Sequence, residues 1–270
     1  MFLSVLGPLS LTVAGRSVAP TAPQPRKVLA LLAVEANRLV PVPDLLAELW
    51  PEQRPDSAKV TLQSYVVRLR KTLDGDGAAP EERPICLLTR PGGYRLNVAP
   101  GVLDLHRFEQ AAARAGAARQ AGDDEAAVRR YREALAVWRG QPLVDIAAGP
   151  ILEPCVKRLA ETLVGTTLQL IDAQLRLGQH EEVLGRLTEL AARSPLDEGL
   201  HARLMIALYR SGRRLEALEA YRRMRSALGR EVGLDVTPIL RRLHLAVLQG
   251  DPLLDDPAAN ASRLADCPTG

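Results

Sequence analysis

The stretch TLQSYVVRLRKTL, residues 61–73, decides how the first third of the chain is read. A helix turns about 100° per residue, so each side chain can be placed around the axis from sequence alone. Leu62, Val66, Leu69 and Leu73 then lie within about 60° of one another and form one apolar stripe. Ser64, Val67, Arg68 and Lys71 fall on the opposite side. A helix face that meets only solvent usually pairs Glu with Lys at i,i+4, yet no acid occurs between Lys59 and Leu73. The outer face is cationic and suits an anion.

Working outward, the neighbours of this helix have a recognisable order. Phe2–Leu6 and Leu9–Val13 alternate as a short antiparallel pair around Gly7-Pro8, and Gly15-Arg16 turns into a third short strand. After the Pro-rich residues 20–25, RKVLALLAVEAN (Arg26–Asn37) is apolar at helical spacing and stops at Asn37. Pro43 opens a second helix, PDLLAELW, which Pro51 closes. A short loop, PEQRPD (51–56), leads to the cationic helix, with Asp56 or Ser57 expected as its cap. A loop over 74–84 holds Asp74, Asp76, Glu81 and Glu82, and after it ICLLT and YRLNV form two strands joined by RPGG. Small sheet, three helices and a hairpin describe a winged helix-turn-helix over residues 1–98.

Beyond residue 98 the chain turns helical and weakly repetitive. The segments 122–135, 178–191 and 212–225 align on their first residue, Gly122, Gly178 and Gly212, and nine residues on stand Tyr131, Leu187 and Tyr221. The last two glycines are 34 apart, the period of tetratricopeptide repeats. Such helix pairs bury their faces only by stacking, so residues 103–250 are expected to form one all-α, tetratricopeptide-like domain. The tail 251–270 has no period and reads as mostly disordered. The fold class is therefore mainly α.

Composition narrows the chemistry. The net charge of +3 is concentrated: residues 1–98 hold 12 Lys+Arg against 9 Asp+Glu, while residues 99–270 hold 23 of each. With four of the nine acids in one loop, the surface near 57–71 and 83–95 is basic, the footprint of a polyanion. Cys86, Cys155 and Cys267 are odd in number and lack ligand spacing, which fits a reducing cytoplasm. No apolar run approaches the ~20 residues of a membrane span. His106, His180, His201 and His244 sit on separate helices without a partner at metal-ligand spacing. No Gly-Lys pair or G-x-S-x-G is present, so no catalytic residue, metal or cofactor is expected and the chain reads as a non-enzyme.

A helix-turn-helix places its second helix in the major groove of double-stranded DNA. Arg68 can then donate two bonds to a guanine, Ser64 is a small adaptable partner, and Val60 and Val67 can pack on thymine methyls. Lys59, Thr61, Gln63, Tyr65, Arg70 and Lys71 flank that face and suit phosphates. On the hairpin, Arg90, Gly92, Gly93, Tyr94 and Arg95 are placed where a wing meets the minor groove or its phosphates. A winged helix buries too little surface for tight selective binding alone, so a second copy on the DNA is expected. A fragment ending near Pro100 is expected to keep DNA binding.

VLGPL, RLRKTL, LLTRPGGYRL, LDLHRFE, ALAVWRGQPL and LMIALYRSGRRLEALEAYRRMR, in this order, resemble the Streptomyces antibiotic regulatory protein family from residue 2 to about residue 253. The resemblance implies an OmpR-type winged helix joined to a bacterial transcriptional activation domain. It implies an activator of secondary-metabolite genes that binds direct repeats near the −35 element as tandem copies and recruits RNA polymerase holoenzyme through its sigma, alpha or beta subunits. By position, Ser64, Arg68 and Arg70 fall where OmpR-type domains read DNA, and Arg90 to Gly93 fall on the wing. It also suggests a polymerase contact for Glu52, Gln53 and Arg54 in the loop before the cationic helix. Two other readings remain at this point. One is a scaffold that binds nucleic acid loosely, separable by its salt slope and lack of sequence preference. The other is a ligand-responsive repressor, which would need a pocket.

Overall fold

The order of elements is set by where apolar residues recur and where Pro and Gly interrupt them. In the computed structural model, which describes residues 1–73 and 83–256, the chain opens with strands β1 (Phe2–Ser4), β2 (Ser10–Val13) and β3 (Arg16–Ser17). They form an antiparallel sheet in the order β1-β2-β3, with Leu3 opposite Leu11. Helices α1 (Pro23–Val34), α2 (Val42–Leu49) and α3 (Ala58–Leu73) come next, with the two-residue strand β4 (Val40–Pro41) between α1 and α2. Strands β5 (Ile85–Arg90) and β6 (Gly93–Val98) close the region, and β6 lies between β4 and β5. The acidic loop residues Asp74, Asp76, Glu81 and Glu82 lie outside the described residues.

Helix α1 begins three residues earlier than its apolar spacing suggests and ends three residues sooner. Pro23 sits in its first turn, where a missing N–H costs nothing and the fixed φ favours helix entry, so the Pro-rich stretch starts the helix instead of preceding it. At the other end Asn37 takes φ +65° and its side chain bonds both the N–H and the carbonyl of Val98. The turn thereby ties α1 to β6.

The remaining helices are α4 (Asp104–Gln120), α5 (Asp124–Leu135), α6 (Leu152–Arg176), α7 (His180–Arg193), α8 (Glu198–Arg210), α9 (Arg214–Glu231) and α10 (Pro238–Gln249). The expected glycine register holds. Gly122, Gly178 and Gly212 precede α5, α7 and α9 with φ of +78°, +74° and +73°, a left-handed turn that glycine adopts without a Cβ penalty. Tyr131, Leu187 and Tyr221, nine residues on, are buried.

Residues 103–250, expected as one domain, are shared between two compact units. Met1–Gly116 with Arg129–Thr167 form one compact unit, and Ala117–Val128 with the chain from Leu168 onward form another. In the first unit Leu103, Leu105, Phe108, Leu152 and Leu159 share a core with Leu3, Leu31, Leu62 and Leu69. Three carboxylates tie the winged helix to the part of this unit beyond residue 98. Buried Glu48 on α2 accepts from the N–H groups of Gly149, Ile151 and Leu152 at 2.5, 3.0 and 2.9 Å, filling the orphan donors at the start of α6. Buried Asp104 accepts from Val5, Leu6 and Leu105, and burial raises its pKa against the lowering effect of those bonds. Asp145 accepts from the Leu9 N–H and pairs with Arg26.

In the second unit Val183, Leu187, Met205, Tyr221, Met224, Leu240 and Leu243 make the core. Arg176 grips Asp124, and Arg203 grips Asp172 through two bonds of 2.7 and 2.8 Å. The first residues of the tail, which reads as mostly disordered, are docked on this unit. Leu254 is buried and Arg210 donates to its carbonyl at 2.7 Å, because an apolar side chain and a cationic neighbour dock this turn. Residues 257–270 lie outside the described residues.

Candidate nucleic-acid interface

Helix α3 starts where the Ser57 carbonyl accepts the first helical bond, from the Thr61 N–H at 2.9 Å. Its apolar stripe is buried as the spacing predicts: Ala58, Leu62, Val66, Leu69 and Leu73 all enter the core. Rotation then forces the remaining positions outward. Lys59, Gln63, Ser64, Arg68 and Lys71 are exposed, and so are Val60 at 64% and Val67 at 50%. The Ser64 hydroxyl donates to the Val60 carbonyl at 3.1 Å, which leaves its oxygen free to accept. Lys59, Arg68 and Lys71 make no ion pair with any described residue. The result is a cationic ridge with two exposed valines, which combines charge for phosphates with apolar contact for a groove floor.

Two residues placed on this face turn out to serve the fold. The Arg70 guanidinium is directed at the hairpin, where Nε donates to the Leu87 carbonyl at 2.9 Å and Nη2 to the Thr89 hydroxyl at 2.7 Å. Arg70 therefore braces α3 against β5 through its Nε and Nη2. Tyr65 is half-buried and packs its ring on the core. Thr61 is also half-buried.

The hairpin is paired from Ile85↔Val98 to Arg90↔Gly93, so Pro91 and Gly92 are the two central turn residues. Gly92 at φ +82° after a proline fits a type II turn. Arg90, Pro91 and Gly92 are exposed at the tip. Period-two alternation prevents Tyr94 and Arg95 from facing the same side. Tyr94 is 8% exposed, joins Leu96 and Val98 in the core and lines the groove beside Lys59 and Gln63, whereas Arg95 lies on the outward register opposite Leu88. Gly93 is buried as well: a Cβ there would lie 2.2 Å from the Val40 carbonyl oxygen. Its role is to let β4 approach β6, leaving Arg90, Pro91 and Gly92 as the exposed tip of the wing. A groove of about 520 Å3 runs between α2, the start of α3 and this turn, with Arg54 and Lys59 exposed beside it and Leu46 and Leu62 within.

The loop over 51–57 is exposed at every residue, including Glu52, Gln53 and Arg54. Among the described residues no helix is long and apolar enough to cross a membrane, and no three His, Cys, Asp or Glu side chains are grouped to hold a metal.

Comparisons with known proteins bear on this geometry. A model described as "Bacterial transcriptional activator domain" matches residues 103–248, and one described as "Transcriptional regulatory protein, C terminal" matches residues 16–96. Regulatory protein DnrI of Streptomyces peucetius is 41% identical over 257 residues, covering 94% of both chains. Transcriptional regulator RedD of Streptomyces coelicolor is 34% identical, covering 95% of this chain and 73% of its own. The solved structure of Mycobacterium tuberculosis EmbR in complex with a low affinity phosphopeptide superposes with a TM-score of 0.88 at 35% identity, over 98% of this chain and 69% of that one.

Proposed function

The chain belongs to the Streptomyces antibiotic regulatory protein family of DNA-binding transcriptional activators, and on that premise we propose that it switches on a secondary-metabolite gene cluster from the cytoplasm by binding direct repeats near the −35 region and recruiting RNA polymerase holoenzyme. The observation that carries this reading is the outer face of α3, where Lys59, Arg68 and Lys71 stand exposed beside Val60 and Val67. Arg68 reads a guanine through O6 and N7, the valines meet thymine methyls, and Lys59, Gln63 and Lys71 hold phosphates. Arg90 and the Gly92 backbone track the adjacent groove.

One α3 reads only a few base pairs, so selectivity comes from tandem copies on the same side of the duplex. Polymerase is met through the loop bearing Glu52, Gln53 and Arg54, whose side chains are exposed next to α3, and its partner is a sigma, alpha or beta subunit surface. The test is DNase protection on candidate secondary-metabolite promoters, followed by transcription with purified holoenzyme. Protection of direct repeats about 10–11 bp apart, or a multiple, is expected. Inserting about half a turn of DNA between repeats rotates one copy to the far side and should abolish cooperative binding. Protection of isolated or inverted sites, or transcription that does not respond to the protein, would overturn the reading.

A further inference from the structure

Residues 201–250 carry 10 Lys+Arg against 4 Asp+Glu, a surplus that DNA reading by α3 does not use. Most of these guanidiniums are spent locally. Arg203 holds Asp172, Arg213 holds Glu216, Arg223 lies 3.8 Å from Glu219, and Arg210 donates to a backbone carbonyl. The groove between α9 and α10 is different. There Arg225 and Arg241 share the single carboxylate of Asp235, at 3.1 and 2.9 Å, and exposed Arg222 pairs with no described residue.

This groove holds about 500 Å3, and around it stand Tyr221, Arg222, Arg225, Ser226, His244 and Leu248. The rings of Tyr221 and His244 stack at 3.8 Å and 12° to make a flat wall. Burial pushes the His244 pKa below its ordinary value, and the positive charges of Arg222 and Arg225 lower it further. On α10 beside the groove, Leu245 and Leu248 are exposed at 48% and 44%, three positions apart and therefore on one helix face. A merely solvated face would not need two leucines, and a phosphate backbone would not use them. Arginine and aromatic rings next to exposed aliphatic side chains are the composition of a protein-binding surface.

We infer that the α9–α10 groove docks an acidic amphipathic segment of a partner protein, its carboxylates on Arg222 and Arg225 and its apolar side chains on Leu245 and Leu248. The segment lies as a helix in a groove, with acid and apolar residues alternating at helical spacing. Arg222 is the point of selectivity, because it alone brings a charge with no competitor among the described residues. The site is independent of whichever DNA sequence α3 reads.

The experiment uses the full chain and a fluorescein-labelled synthetic helix of Glu and Leu, with one stripe of each. Its controls are the same helix with Gln for Glu and a random DNA duplex. The acidic helix should bind with raised polarisation and the Gln version should not. Arg222→Gln with Arg225→Gln, and separately Leu245→Ser with Leu248→Ser, should each weaken binding by about tenfold or more. Arg222→Glu alone, at an exposed position without partners to lose, should abolish it while leaving the melting curve unchanged. Adding the helix should raise the His244 imidazole pKa read by NMR, since carboxylates now face it. Equal binding of the Gln helix, no effect of Arg222→Glu, or no shift at His244 would overturn the inference. If the leucine pair proved silent while random duplex competed for the site, the groove would be a phosphate contact and the inference would also fall.

Discussion

Arg68 and Arg70 stand two positions apart on α3 and face different partners. Rotation around the axis, which depends on sequence alone, puts Arg68 outside; it cannot reveal that Arg70 reaches Leu87 and Thr89, because those contacts are 17 and 19 residues away and exist only once the hairpin folds back. The two roles separate by substitution. Arg70→Lys keeps the charge but loses the planar fork that bridges a carbonyl and a hydroxyl, so it should impair DNA binding as much as Arg70→Ala does. Binding restored by lysine, measured by fluorescence anisotropy, would return Arg70 to the phosphate. At another residue the sign of a pH effect is set. His201 is buried, and burial, then the field of Arg223, lowers its pKa from 6.5. A lowered imidazole pKa means that the unfolded chain binds the proton more readily, so stability is full above about pH 6.5 and declines as pH falls through that value toward the folded pKa. Urea melts between pH 7.5 and pH 5 should show this decline, and His201→Gln should make it shallower. An unchanged slope in the variant would remove His201 as the cause.

At the scale of elements, periodicity was legible and cross-element closeness was not. The apolar stripe of α3, the three strands at the start and the glycine register of α5, α7 and α9 come from local spacing. The wing reads differently in the fold. RPGG looks like two free glycines, but the approach of β4 demands Gly93 and leaves only Gly92 at the tip. Adjacent Tyr94 and Arg95 looked like one contact surface until strand alternation sent the tyrosine inward. The loop over 51–57 is exposed throughout, which makes it testable apart from DNA binding. Glu52→Ala with Arg54→Ala should leave operator affinity within about twofold, as surface changes usually do, while reducing activated transcription by purified holoenzyme. Full activation by this variant would exclude the loop as a polymerase contact.

For the whole molecule, the boundary near residue 100 marks a change in the kind of element, and the core of the first unit crosses it. An acid such as Glu48 in an apolar helix signals a buried partner, yet nothing local says that the partner is the start of α6, about a hundred residues away. A fragment ending near Pro100 loses Leu103, Phe108, Leu152 and Leu159 from its core and leaves the Glu48 carboxylate without donors. The expectation that it binds DNA unaided is therefore revised: it should melt well below the full chain and bind poorly, whereas independent cooperative melting at the full-chain temperature would show that the shared core contributes little. The central claim is that α3 reads sequence. The most direct test is the ratio of full-chain affinity for a direct-repeat operator to that for random duplex of equal length, at one salt concentration. A ratio of about 10³ or more is predicted. Arg68→Ala should then lower operator affinity by about 1–3 kcal/mol and relax preference at one guanine, with random-duplex affinity nearly unchanged. A ratio near one with steep salt dependence, or equal loss on both DNAs in the variant, would contradict the account.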